Sequence, residues 1–176
     1  MRLLTYGDDN IQDVKKTVPW YNHTTISQAL ASIGVTYTMA DKDAESIPYI
    51  TMKECSFLKR TWVFDHKFEA YMAPLEEESI IKSLTVWVPS RSIPAEMQFV
   101  AVCASACFEY WYYGEERFNK ERAFLMELTS SEPYCFYVKE STFPTYAELA
   151  ERFVRSSKKM NKKRIVDNFV VQGRIS

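Results

Sequence analysis

Two adjacent carboxylates behind a glycine, Tyr6-Gly7-Asp8-Asp9-Asn10, are the residues of this chain whose types and spacing best suit them to chemistry. Two carboxylates held side by side repel unless a cation lies between them, so the pair predicts a Mg²⁺ or Mn²⁺ site at which phosphate chemistry can run. Gly, Asp and Asn are also ordinary hairpin-turn residues, and the pentapeptide alone leaves both readings open. Lys42, between Asp41 and Asp43, is either a solvated turn lysine or an ammonium delivered to a phosphate, where it can balance charge or donate a proton to a departing oxygen. The run Ser56-Phe57-Leu58-Lys59-Arg60-Thr61-Trp62-Val63-Phe64 keeps two positive charges together amid apolar side chains. It reads as a strand pair near an anion, or as an edge whose charges deter aggregation.

The elements that must position these residues follow from periodicity. Leu3 to Tyr6 is a strand-like run, and Ile11 to Val14 can return beside it across the Gly-Asp-Asp-Asn turn as a hairpin. Thr25-Ile26-Ser27-Gln28 has the form of a capping box, followed by an apolar face of Ile26, Ala29, Leu30 and Ile33, with Gly34 as the terminator. Val35 to Thr38 is β-branched and aromatic and reads as a strand, with a polar loop from Ala40 to Ala44 after it. Glu76, Glu77 and Glu78 follow Pro74 as a helix first turn and read as a solvated start, not a metal site. A longer helix opens at Ser92-Ile93-Pro94, presents Met97, Val100, Ala101, Ala104, Phe108 and Trp111, and ends at Gly114. A second, from Glu115 to about Leu128, packs back on it. The aromatics Tyr110 to Tyr113 read as core rather than as a base-stacking platform.

Composition narrows the function classes. An apolar fraction of 47% over 176 residues is enough for a real core, and a formal net charge of −1 removes the global basicity of a small non-specific nucleic-acid binder. Any RNA contact must be local. Lys158, Lys159, Lys162 and Lys163 with Arg164 form one basic face, solvated by default or set against an RNA backbone. Cys55, Cys103, Cys107 and Cys135 and the histidines His23 and His66 lack metal-ligand spacing, so zinc is not expected and the cysteines carry no assigned function. No apolar run approaches the ~18 residues of a membrane span and no signal peptide is visible, so the chain reads as soluble and intracellular.

In order along the chain, Tyr6-Gly7-Asp8-Asp9-Asn10, then Gly34-Val35-Thr36-Tyr37-Thr38 with Ala40-Asp41-Lys42, then Ser56-Phe57-Leu58-Lys59-Arg60, resemble the palm motifs C, D and E of the RNA-dependent RNA polymerases of picorna-like positive-strand RNA viruses. The resemblance looks in particular to the dicistrovirus, iflavirus and marnavirus group. Tyr113-Gly114-Glu115-Glu116-Arg117-Phe118-Asn119-Lys120 is similar to the turn between thumb helices of that family. The resemblance implies an α+β fold, with residues 1–70 as the C-terminal part of a polymerase palm (antiparallel hairpin, helix, strand) and 71–176 as a mostly helical thumb. It implies Asp8 as a metal ligand, Asp9 as its neighbour at the second ion, Lys42 as the acid that protonates pyrophosphate, and Phe57, Leu58, Lys59 and Arg60 as support for the primer 3′ end. The implied cofactors are two Mg²⁺ or Mn²⁺ ions, and the implied partners are template-primer RNA and nucleoside triphosphates.

The departures are as informative. Only five residues precede the Tyr-Gly-Asp-Asp motif, so the fingers and the facing motif A, B and F residues are not in this chain, and two carboxylates are too few for a tight Mg²⁺ site. The expectation is a palm and thumb portion of a longer polymerase at the end of a polyprotein, inactive when isolated. It would work in the host cytoplasm, in a membrane-associated replication complex. The alternative from another class is a non-catalytic RNA-binding module that keeps the palm and thumb shape.

Overall fold

The structure is a computed structural model that describes residues 2–157 and 169–175. The basic face expected at Lys158 to Arg164 lies outside the described residues. The chain divides into two compact units, Met1–Val63 with Lys163–Ser176, and Phe64–Lys162.

In the first unit, strands β1 (Arg2–Tyr6) and β2 (Asp9–Val14) form an antiparallel hairpin with Tyr6 opposite Asp9. The turn is therefore only Gly7 and Asp8, while Asp9 and Asn10 already belong to the strand. Gly7 has φ +58°, the left-handed geometry that a two-residue hairpin turn with glycine first requires. Helix α1 (His23–Ala31) follows, then the short strand β3 (Tyr37–Thr38). The C-terminal strand β6 (Phe169–Ile175) inserts between β2 and β3, giving the antiparallel order β1-β2-β6-β3. This differs from a thumb running unbroken from residue 71 to the C-terminus. Phe169-Val170-Val171 is a β-branched, aromatic run that gains a ladder on both sides by pairing with β2 and β3.

β2 is paired along both edges, and both of its faces are covered as well. Ile11 packs with Cys55 and Val170 on one face, joined by Ile50, Met52, Phe57 and Trp62. The other face carries a hydrogen-bonded chain: the Tyr21 hydroxyl donates to Gln12 Oε1 (2.5 Å), Gln12 Nε2 to Asn10 Oδ1 (3.2 Å), Tyr37 Oη to the same oxygen (2.8 Å), and Asn10 Nδ2 to the Gly173 carbonyl (3.0 Å). Burial raises the Tyr37 phenol above its ordinary value of 10.0, which keeps it a donor. The buried amides Asn10 and Gln12 are satisfied in this way, as groups removed from water must be.

The Tyr37 ring also crowds Gly173, where an added Cβ would stand 2.2 Å from the ring carbon Cζ. The Gly173→Ala variant is accordingly expected to push the ring away, break the bond to Asn10 and destabilise the sheet by about 1–3 kcal/mol. Amide hydrogen exchange along β2 measures it; unchanged protection would show that Tyr37 yields freely.

Two local expectations shift. The capping box of α1 sits three residues earlier, with Asn22 Oδ1 accepting from the Thr25 amide (3.0 Å) and Thr25 Oγ1 from the Asn22 amide (3.1 Å). The helix then ends at Ala31, which leaves Ile33 outside its apolar face and 72% exposed, and Gly34 (φ +79°) turns the chain away.

In the second unit, β4 (Val63–Asp65) and β5 (Ala70–Met72) pair as a ribbon beside helices α2 (Glu77–Thr85), α3 (Ala95–Tyr110), α4 (Glu115–Leu128) and α5 (Tyr146–Ser157). A 3₁₀ turn, Trp111–Tyr113, and Gly114 at φ +93° reverse the chain between α3 and α4. The buried face of α3 is Val100, Cys103, Ala106, Cys107 and Tyr110, while Met97 and Phe108 are exposed. The buried face is rotated from the expected one because α3 is apolar on most sides, so periodicity selects no single stripe. Tyr110 and Trp111 are core, as expected, and Trp111 Nε1 donates to the Tyr146 carbonyl (3.2 Å). Of the acidic trio, Glu77 at the start of α2 is ion-paired with Arg117 of α4, tying the two helices together. No described helix is long and apolar enough to cross a membrane.

Candidate active site

Asp8 is displayed at the hairpin turn and is exposed, and Asp9 begins β2 half-buried. Facing them is a residue that sequence patterns did not single out. Arg174 stands opposite Asp9 in the β2–β6 register, its Nε donates to Asp8 Oδ2 at 2.5 Å, and it lies 3.3 Å from Asp9 Oδ1. The Asp8 carbonyl also accepts the Ile175 amide (3.1 Å), so backbone and side chain both dock the turn on β6. The hydrogen bond from Arg174, foremost, holds the Asp8 carboxyl below its ordinary 3.8. A carboxylate depressed in this way favours the folded state above its unfolded value and loses that contribution as pH falls through the folded one. The contact therefore persists at neutral pH.

Lys42 sits on the turn after β3, where the Asp41 carbonyl accepts the Ala44 amide (3.2 Å) and the Asp41 side chain the Asp43 amide (3.1 Å). This Asx turn presents the ammonium outward. Its charge reaches Asp8, as the weakest of the contributions that lower that carboxyl.

Phe57 to Arg60 differs from the alternating strand expected. Phe57 and Arg60 exchange backbone hydrogen bonds (2.9 and 3.1 Å) around Leu58 at φ +53° and Lys59 at φ +63°. Two consecutive left-handed residues make a type I′-like hairpin turn, here without the usual Asn or Gly. Such strain costs of order 1 kcal/mol or more per residue and persists only where its surroundings enforce it. Here Phe57 is anchored in the Ile11, Cys55 and Val170 cluster, and the Ser56 carbonyl accepts from Gln172 Nε2.

β6 thus joins the two stretches. Val170, Gln172 and Arg174 share one face of the strand by its two-residue period and touch, in turn, the Phe57 cluster, Ser56 and the acid pair. Alternation in Val170-Val171-Gln172-Gly173-Arg174-Ile175 was the available signal for this strand. Its partner could not be read from it.

As a metal centre, the acid pair fits in kind and falls short in number. Two carboxylates supply the hard oxygens that Mg²⁺ prefers, but Mg²⁺ asks for about six ligands, and among the described residues no group of three acidic, histidine or cysteine side chains converges. The guanidinium of Arg174 lies where a positive charge is favoured. Burial pushes the Cys55, Cys103 and Cys107 thiols up to about 11, so they are protonated at neutral pH.

An acid-bearing hairpin, a helix and a sheet, followed by a helical unit, make an α+β architecture, and the chain belongs to the viral RNA-dependent RNA polymerase family, whose model matches residues 1–120. It is 29% identical over 127 residues to the replicase polyprotein of Cricket paralysis virus, covering 72% of this chain and 7% of that one. The replicase polyprotein of Drosophila C virus is 31% identical with the same coverage, and the RNA1 polyprotein of Cowpea mosaic virus is 28% identical over 151 residues, 85% of this chain and 8% of the relative. The chain thus spans less than a tenth of the length of these polyproteins. A solved structure, Sicinivirus 3Dpol RNA dependent RNA polymerase, superposes with a TM-score of 0.63 at 23% identity over 89% of this chain and 31% of that one, which shows the shared palm and thumb fold.

Proposed function

We propose that the chain is the C-terminal palm, about residues 1–70 with strand β6, and the thumb, from residue 71 through α5, of a replicase that extends RNA on an RNA template by nucleotidyl transfer. The observation that carries the reading is the display of Asp8 at the hairpin turn with Asp9 beside it at the start of β2, in the stretch that the polymerase family model matches. Divalent ions, when bound, would activate the primer 3′-hydroxyl and neutralise charge on the phosphoryl oxygens. Asp8 and Asp9 would hold them with ligands from outside this chain. Lys42 would offer its proton to the departing pyrophosphate, and the Phe57, Leu58, Lys59 and Arg60 turn would seat the primer strand, whose alignment with the triphosphate is a large part of such catalysis. Template-primer RNA and nucleoside triphosphates are the partners, and the working location is a membrane-associated replication complex in the host cytoplasm.

With an incomplete ligand set, the 176 residues alone are expected to give no template-dependent product in primer extension with Mg²⁺ or Mn²⁺. A replicase containing them is expected to give full-length product. Clear synthesis by the isolated chain would overturn the incomplete-site reading. No product from the replicase would leave the non-catalytic RNA-binding module in its place.

A further inference from the structure

Gln172 reaches the Phe57 to Arg60 turn from 116 positions away, through the bond from its Nε2 to the Ser56 carbonyl. The strand that carries it is fixed on both edges nearby. Pairing with β2 sets Gln172 opposite Ile11, and on the other edge the Ile50 amide donates to the Val170 carbonyl (3.0 Å). The Gln172 side chain is 6% exposed, so its bond forms largely away from competing water, where a hydrogen bond keeps more of its strength. The turn it grips needs such holding. Leu58 and Lys59 both stand in the left-handed region that non-glycine residues avoid, and only the paired backbone bonds of Phe57 and Arg60 close the turn from within. Its entry side is held at two neighbouring points, Ser56 by Gln172 and Phe57 by the cluster with Ile11, Cys55 and Val170.

We propose that Gln172 is a positioning residue for the primer strand: its carboxamide holds Ser56, and through it the left-handed Leu58-Lys59 turn, in the form that seats the primer 3′ end. The inference rests on the reading of Phe57 to Arg60 as the primer seat. Gln172 acts through Ser56 and needs no contact with RNA itself. A turn released at Ser56 spends part of its time in other backbone conformations, and a seat formed only part of the time binds its strand more weakly by that fraction.

Gln172→Met keeps the length of the side chain and removes the donor. In a replicase carrying this chain it is expected to raise KM for primer–template about fivefold, the worth of one neutral hydrogen bond, and to leave KM for the nucleoside triphosphate unchanged. A loss of folded enzyme would lower kcat and move neither KM. Amide hydrogen exchange at Phe57 and Arg60, whose amides close the turn, is expected to quicken by about the same factor. In the wild-type chain, where folding is not at issue, the Gln172 Nε2 protons are expected to exchange with solvent more slowly than those of an exposed glutamine. An unchanged primer–template KM in Gln172→Met, or wild-type Gln172 protons that exchange as fast as an exposed glutamine's, overturns the proposal, and the primer-seat reading survives that result as long as Lys59→Ala with Arg60→Ala raises the same KM. A primer–template KM unmoved by that double variant overturns the primer-seat reading and this inference with it.

Discussion

Asparagine in place of Asp8 is expected to slow RNA extension by a replicase carrying this chain on the order of a thousandfold, a loss comparable to removing a principal electrostatic group from other transfer enzymes. Asparagine is nearly isosteric and suits a hairpin turn, so the β1–β2 pairing of Tyr6 with Asp9 should survive. What goes is the negative charge that a cation requires and that Arg174 now answers. Asp9, half-buried in the strand and farther from Arg174, is expected to matter less, with Asp9→Asn costing about ten- to a hundredfold. Primer extension at saturating Mg²⁺, with circular dichroism confirming the fold, separates the two. An Asp8→Asn replicase within tenfold of wild type would remove this residue from the metal site.

Phe118→Ala is expected to destabilise the second unit by about 3–5 kcal/mol, the range for truncating a fully buried phenylalanine. Phe118 lies on α4 with no exposed surface, and its ring meets Tyr146 of α5 edge-on at 5.7 Å. Both rings pack in the cluster that includes Ile80, Cys107 and Leu125, so the vacated volume would border three helices at once, and little of it can collapse. Urea unfolding of the 176-residue chain measures the loss. Phe136→Ala serves as the control, because that ring is 70% exposed and its removal should change stability by less than about 0.5 kcal/mol. Comparable effects at both positions would place the core elsewhere.

Local chemistry makes the hairpin, the helix after it, the α3–α4 reversal at Gly114 and the aromatic core legible in the amino-acid sequence. Each depends on contacts within a few residues. Glycine at a left-handed turn position and an amphipathic period constrain the chain wherever it lies. Where two local solutions compete, spacing misleads. Asn22 and Thr25 form the cap in place of Thr25 and Gln28, and an apolar helix surface leaves the buried stripe of α3 ambiguous. The Phe57 to Arg60 stretch alternates like a strand, but its left-handed turn is imposed by the packing of Phe57 and the hydrogen bond to Ser56, whose partners lie far away in sequence.

The acid pair, the lysine behind Asp41 and the ordered motifs were determined by the sequence alone, because residue type and short spacing set what a carboxylate or ammonium can do. The partner of the acids was decided only in three dimensions. Arg174 lies 166 residues from Asp8, and nothing in its neighbours says which strand β6 will join or in which register. A one-residue slip would turn Arg174 to the opposite face and bring Gly173 or Ile175 round in its place, so the pairing of β6 with β2, held by the fit of Tyr37 against Gly173 and by the buried amides of Asn10 and Gln12, decides what charge the two aspartates meet.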